Sequence, residues 1–211
     1  VADFEEGLNL RKNGIKIPII VANPGAKSFQ TIIDYQLEPV IYNLRLLSVY
    51  IKTKTPLNIH IKLNSGMNRY GFDENDLDQL ILLLQKNSFL KVSSICSHLS
   101  SSNDPKQDDF SKEQITLFEK NCIKIQKSLG YKTDTHILNS NGVLRFDIND
   151  SAVRLGIALY GISEDSNLEQ ICSLHSTISQ VRLIEKNARV GYQNAFVAQK
   201  AMKIALIPIG Y

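Results

Sequence analysis

The sequence predicts an α/β protein built on a parallel sheet, followed by a segment of β character alone. Three observations carry this. Short β-rich runs alternate with longer amphipathic stretches as far as Tyr160, which is the mark of repeated β-α units. Glycine and turn residues such as Gly14 and Asn23-Pro24-Gly25 punctuate the alternation. Beyond the polar stretch from Ser163 to Asn167 the helical periodicity stops, and only β-rich runs follow.

The elements can be taken in order. A helix from Phe4 to Asn13 closes on Gly14, a residue that tolerates the left-handed conformation found just past helix ends. Ile17 to Val21 reads as a buried strand. A short helix from Ser28 to Tyr35, a strand from Pro39 to Ile41, a helix from Asn43 to Lys52 and a strand from Leu57 to Leu63 come next. Asp73 is the predicted N-cap of a helix reaching Lys86, with Leu77, Leu80, Ile81 and Leu84 on one face. Val92 to Ser97 is the next strand.

Between Ser111 and Gly130, Ile115, Phe118, Cys122, Ile125 and Leu129 recur at intervals of three and four, which predicts a long helix. A strand from Thr135 to Leu138 and a last unit ending in Ala152-Val153-Arg154-Leu155-Gly156 bring the succession to about seven strands. So many parallel units favour a TIM-type (β/α)8 barrel over a small open sheet. The domain expectation is a barrel over 1–162 and the start of a β domain over 163–211. The sequence opens on a helix with no strand before it, so the first β-α unit of the barrel is expected to be missing. The stop at Tyr211, after a strand-like run, suggests an interrupted β domain.

Composition narrows the function. With 211 residues, 43% of them hydrophobic, the chain can bury a sizeable core. Mean hydropathy of −0.12 is that of an ordinary globular protein. The 24 basic and 21 acidic residues are dispersed and leave a net charge of +3, with no basic block for a nucleic-acid backbone. No apolar run nears the ~20 residues of a membrane span, and there is no signal-peptide pattern. The expected location is cytoplasmic, with neither nucleic acid nor membrane as a partner. Three cysteines without paired spacing indicate neither a disulfide framework nor a zinc site, and no metal is expected.

Barrel enzymes collect their reactive groups at the C-terminal ends of strands. Four segments stand there: His60-Ile61-Lys62-Leu63-Asn64-Ser65-Gly66-Met67-Asn68-Arg69-Tyr70-Gly71-Phe72; Cys96-Ser97-His98; His136-Ile137-Leu138-Asn139-Ser140; and Val153-Arg154-Leu155-Gly156-Ile157-Ala158-Leu159-Tyr160-Gly161. Singly, each has a structural explanation, since a strand-end histidine is more often a satisfied structural residue than a ligand. In order and rough spacing, they resemble the signature segments of the alanine racemase family, whose members are fold-type III pyridoxal-phosphate enzymes. The resemblance continues through Val190-Gly191-Tyr192 to Ile207-Pro208-Ile209-Gly210-Tyr211.

That resemblance implies racemisation of L- and D-alanine with pyridoxal 5'-phosphate, by a lysine and a tyrosine acting on opposite faces of the substrate, supplying D-alanine for peptidoglycan. It implies that Arg154 meets the pyridine nitrogen of the cofactor. A guanidinium only donates, so the ring nitrogen stays an unprotonated acceptor. Asn139, Ser140, Gly156 and Ile157 would hold the cofactor, its phosphate lying against Ser140 and the backbone near Gly156 and Ile157. His98 would lie beside the ring, and His136 would support Arg154. Arg69 would contact the cofactor's phenolic oxygen near the substrate carboxylate, oriented by Lys62 if that lysine is carbamylated. Asn64 and Ser65 depart from the Asp-Thr of the family pattern.

Tyr192 matches the catalytic tyrosine, which in the family reaches the barrel of the other subunit, so a homodimer with shared sites is implied. Tyr211 matches a substrate-binding position at the entrance. No residue matches the Schiff-base lysine of the first strand, and the 211 residues alone are expected to be inactive. Alternatives are a racemase for serine or another small amino acid, and a non-enzymatic pyridoxal-phosphate barrel protein; a fusion with a cell-wall ligase stays open.

Overall fold

A computed structural model describes residues 1–148, 150–162 and 168–210. The chain divides into two compact units, Val1–Leu168 and Glu169–Tyr211. In the first, the element order is α1 (Phe4–Lys12), β1 (Ile20–Val21), α2 (Phe29–Asp34), β2 (Glu38–Ile41), α3 (Leu44–Thr53), β3 (Leu57–Lys62), α4 (Leu77–Lys86), β4 (Leu90–Cys96), α5 (Asp108–Leu129), β5 (Asp134–His136) and α6 (Ser140–Arg145). The five strands form one sheet in sequence order, every neighbouring pair parallel. It is the curled sheet of a β/α barrel, with helices on its outer face.

Local chemistry sets these boundaries. The Asp3 carboxylate accepts from the amides of Glu5 and Glu6 and caps α1. The Asn43 side chain accepts from Leu46 N at 2.8 Å and caps α3. Gly130, at φ 78°, ends α5 in the left-handed region. Outward side chains of the strands, among them Val21, Ile41, Ile59, Ile61, Val92 and Ile95, join Leu47, Leu80, Leu84, Phe118 and Ile125 of the helices in one buried core. Each such side chain contributes about 1.5–3 kcal/mol by leaving water.

Three expectations change. The strand expected over 17–21 shrinks to Ile20–Val21, because Pro18 has no N–H to give a ladder and Ile17 is exposed. The helix expected from Asp73 begins at Leu77, behind a single 3-10 turn at Glu74–Asp76. The strand expected at Ala152 to Gly156 does not form, so the described residues hold five parallel strands and not about seven. The reason lies in Asp150, whose carboxylate takes the amides of Ile137 and Leu138 at 2.7 and 3.2 Å and so uses donors that another strand would need. The segment runs alongside all the same, with Ser151 N donating to Thr135 O and Arg154 N to Leu138 O.

The second unit contains β6 (Gln180–Ile184), β7 (Arg189–Val190), β8 (Phe196–Val197) and β9 (Met202–Leu206). Antiparallel ladders join β6 to β9 and β7 to β8. Gly191, Gln193 and Asn194 all have positive φ, and the chain reverses between β7 and β8.

Candidate functional site

The inner face of the parallel sheet surrounds a cavity of about 810 Å³. Alternate residues of successive strands line it: Glu38 and Val40 of β2, His60 and Lys62 of β3, Ser94 and Cys96 of β4, and Asp134 and His136 of β5. Strand pleating alone does not give this set, because β4 carries a bulge. Ile59 pairs with Val92 but His60 pairs with Ser94, leaving Ser93 extra. The bulge sends Val92 to the core and Ser94 to the cavity, although the two lie two residues apart.

Arg154 is the centre of the polar contacts. Its Nη1 donates to His136 Nδ1 at 2.5 Å and to His136 O at 2.7 Å. Its Nη2 donates to Ser97 O at 2.5 Å and Ile137 O at 3.1 Å, and lies 3.2 Å from His98 Nδ1. Carbonyls at the ends of two strands therefore grip the guanidinium, which lines the cavity. Burial, followed by the Arg154 charge, lowers the pKa of His98 to about 4 and that of His136 to about 3, so both imidazoles are neutral at pH 7.

Lys62 and Arg69 also line the cavity. Burial is the main cause that lowers the pKa of Lys62, with Arg154 and Arg69 adding to it and Cys96 opposing. Arg69 stands on a loop that folds back on the end of β3. Asn64 N donates to Phe72 O at 3.0 Å, and Phe72 N donates to Lys62 O at 2.9 Å. Gly71 sits at the crossing with φ 135°, where a Cβ would lie 2.4 Å from Asn64 N and Leu63 C. Only glycine fits there.

Asn64 and Ser65 are both used. The Asn64 Oδ1 accepts from Gly66 N and Asn68 N, and its Nδ2 donates to Asn68 Oδ1 and Asp73 Oδ1. Ser65 Oγ lies 2.7 Å from Ser97 Oγ.

Next to the cavity, Ser140 Oγ accepts from Gly156 N at 2.9 Å and Ala158 N at 3.3 Å. The amides gathered on the hydroxyl are thus those of Gly156 and Ala158, with Ile157 between them. Asn139 serves α6: its Oδ1 accepts from Gly142 N and Ser102 Oγ, and its Nδ2 donates to Leu99 O. Its side chain is committed to placing Ser140. Tyr192 belongs to the second unit, on the turn between β7 and β8, with 94% of its surface exposed. Tyr211 lies outside the described residues.

Sequence reasoning assigned nothing to Ser94 or Glu38, and no role to His60. A period-two reading of β2 and β3 would have placed Glu38 and His60 on the Lys62 face, but the bulge conceals Ser94.

Two family models match the chain: "Alanine racemase, N-terminal domain" over residues 1–164 and "Alanine racemase, C-terminal domain" over 171–211. Among curated relatives, the alanine racemase of Borreliella burgdorferi is 29% identical over 225 residues, and that of Thermodesulfovibrio yellowstonii is 31% identical over 215. The whole chain aligns in both cases, and it spans 60% and 57% of the two relatives. Among solved structures, that of alanine racemase from Bacillus anthracis with bound L-Ala-P superposes with a TM-score of 0.78 at 26% identity, covering 100% of this chain and 58% of the other.

Proposed function

This chain belongs to the alanine racemase family, and on that premise we propose that its inner sheet face is the pyridoxal-phosphate cradle of an enzyme interconverting L- and D-alanine. The observation that carries the reading is Arg154, a donor-only group whose Nη atoms are all held by protein and whose Nε has no partner among the described residues. A ligand atom meeting that donor must accept, as an unprotonated pyridine nitrogen does.

The remaining residues fit the same group. Arg69 and Arg154 bring positive charge to one cavity, which suits a ligand carrying phosphate and a phenolic oxygen. Ser140 with the amides of Gly156 and Ala158 would hold the phosphate, and Ile157 completes that turn. His98, neutral, would lie beside the ring without adding a further cation. When bound, pyridoxal phosphate lends the amino acid an electron sink that acidifies its α-hydrogen.

The other roles belong to this chain's own groups. The lowered pKa of Lys62 raises its fraction of free amine, which can form an N–C bond to carbon dioxide and release a proton. The resulting carbamate is an anion able to orient Arg69, which would then bind the substrate carboxylate. Tyr192, exposed on its own unit, takes and returns the α-proton on one face, and Tyr211 gates the entrance. A Schiff-base lysine on the opposite face is not among these residues, so the 211-residue stretch by itself is inactive. The working enzyme is a cytoplasmic homodimer in which each barrel receives the partner subunit's tyrosine, and its product supplies peptidoglycan synthesis.

The test is turnover by the full-length protein supplied with pyridoxal phosphate and a panel of L-amino acids. Alanine should racemise fastest. No turnover of alanine would contradict the proposal, and faster turnover of serine would reassign the substrate.

A further inference from the structure

A line of buried polar side chains continues from Arg154 across the cavity wall. His136 Nε2 lies 3.0 Å from Ser94 Oγ, Ser94 Oγ lies 2.6 Å from His60 Nδ1, and His60 Nε2 lies 2.8 Å from Glu38 Oε2. Asn58 Nδ2 donates to the other carboxylate oxygen at 3.0 Å. His60, Ser94 and His136 are each buried. The members come from four adjacent strands, β2 to β5, and the segment after β5, and the β4 bulge supplies the middle one.

The direction of every proton in this line follows from its two ends. Arginine only donates, so His136 Nδ1 must be a bare acceptor, and the proton of the neutral ring sits on Nε2. That N–H donates to Ser94 Oγ, which leaves the serine hydroxyl to donate to His60 Nδ1. His60 then carries its proton on Nε2 and donates it to the Glu38 carboxylate. Glu38 is suited to this end, because its hydrogen bond from His60 is the largest cause lowering its pKa. Running the line in reverse would set an N–H of His136 against the guanidinium N–H groups. It would also set a bare nitrogen of His60 against the carboxylate. Both ends oppose reversal, and buried donors without acceptors are costly.

We propose that Glu38, His60 and Ser94 are positioning residues for Arg154: with His136 they form one polarised hydrogen-bond line, anchored by the Glu38 carboxylate, that holds His136 as the Nε2–H tautomer and keeps the guanidinium fixed as a donor. The proposal deepens the cofactor-cradle reading and rests on it for its purpose, though the line itself needs no ligand. Supporting Arg154 through a neutral imidazole leaves its charge undiminished, whereas a carboxylate in direct contact would neutralise it. Placing the only anion of the line three groups away provides both order and charge.

The experiment uses full-length protein without ligand, labelled with nitrogen-15 in histidine and arginine. Two-bond proton–nitrogen spectra at neutral pH separate bare from protonated ring nitrogens, and water-exchange spectra report how firmly the Arg154 Nη–H groups are held. In the wild type, His60 and His136 should both be neutral with the proton on Nε2. Ser94→Ala removes one oxygen with little change in volume, and it should speed exchange of the Arg154 Nη protons roughly tenfold, the scale of one lost buried hydrogen bond. Ser94→Thr, which keeps the hydroxyl, should restore slow exchange.

A proton on Nδ1 of either ring, a cationic His136 at neutral pH, or equal exchange in wild type and Ser94→Ala would overturn the proposal. If the tautomers and exchange rates are as stated but the wild type racemises no amino acid, the racemase reading fails. The line would then stand as the support of Arg154 for another ligand.

Discussion

The two faces of the parallel sheet differ in everything except their backbone. On the outer face, Ile59, Ile61 and Ile95 are fully buried against helices, and their contribution is non-directional removal of apolar surface from water. On the inner face, His60, Lys62, Ser94 and His136 come from the same strands, yet nearly all of their interactions are directional. Stability should therefore respond chiefly to changes on the outer face, and ligand chemistry to changes on the inner one. The contrast can be broken at four points.

The largest effect on stability belongs to Ile61→Ala, which should cost about 2–5 kcal/mol by removing buried methyl groups and leaving a cavity. Denaturant unfolding measures it, and the surviving folded fraction should bind cofactor normally. Gly71→Ala comes next, since its Cβ has no room at φ 135°. It should cost about 2 kcal/mol and, unlike the first change, also weaken substrate binding by shifting the Arg69 loop.

Acid offers a third test, which acts through the inner face alone. His136 has a folded pKa pushed down to about 3, below the value near ~6.5 of an unfolded chain. As pH falls through 6.5 the unfolded chain takes a proton that the folded one refuses. Stability is lost in that direction, by about 2 kcal/mol between pH 6.5 and 5. His136→Asn should remove that share of the slope in urea titrations across the same range, leaving the share of His98, whose pKa is pushed down to about 4. The smallest effect is expected from Asn139→Ala, which removes the α6 cap and should cost about 1 kcal/mol. Cofactor affinity should drop with it, because Ser140 is the first residue of the capped helix.

The faces also differed in how far they could be read from the sequence. The three-and-four spacing of Ile115, Phe118, Cys122, Ile125 and Leu129 predicted α5 because an outward core needs only apolar volume at the right period. The strand-end motifs likewise pointed to Lys62, Arg69, His98, His136 and Arg154, all of which line one cavity. Ser94 was hidden because a single bulge inverts the facing of β4, and one extra residue in a strand leaves no trace in composition. The strand expected at Arg154 failed for a comparable reason, one carboxylate, Asp150, taking the amides that a ladder would use. Glu38 reads as a surface charge until the sheet curls.

The account depends most on Arg154 meeting an acceptor that carries no proton. Pyridoxal phosphate labelled with nitrogen-15 in the ring, bound to the full-length protein, tests this directly by its nitrogen resonance. The account predicts a bare ring nitrogen across the neutral range. A protonated pyridinium there would contradict it.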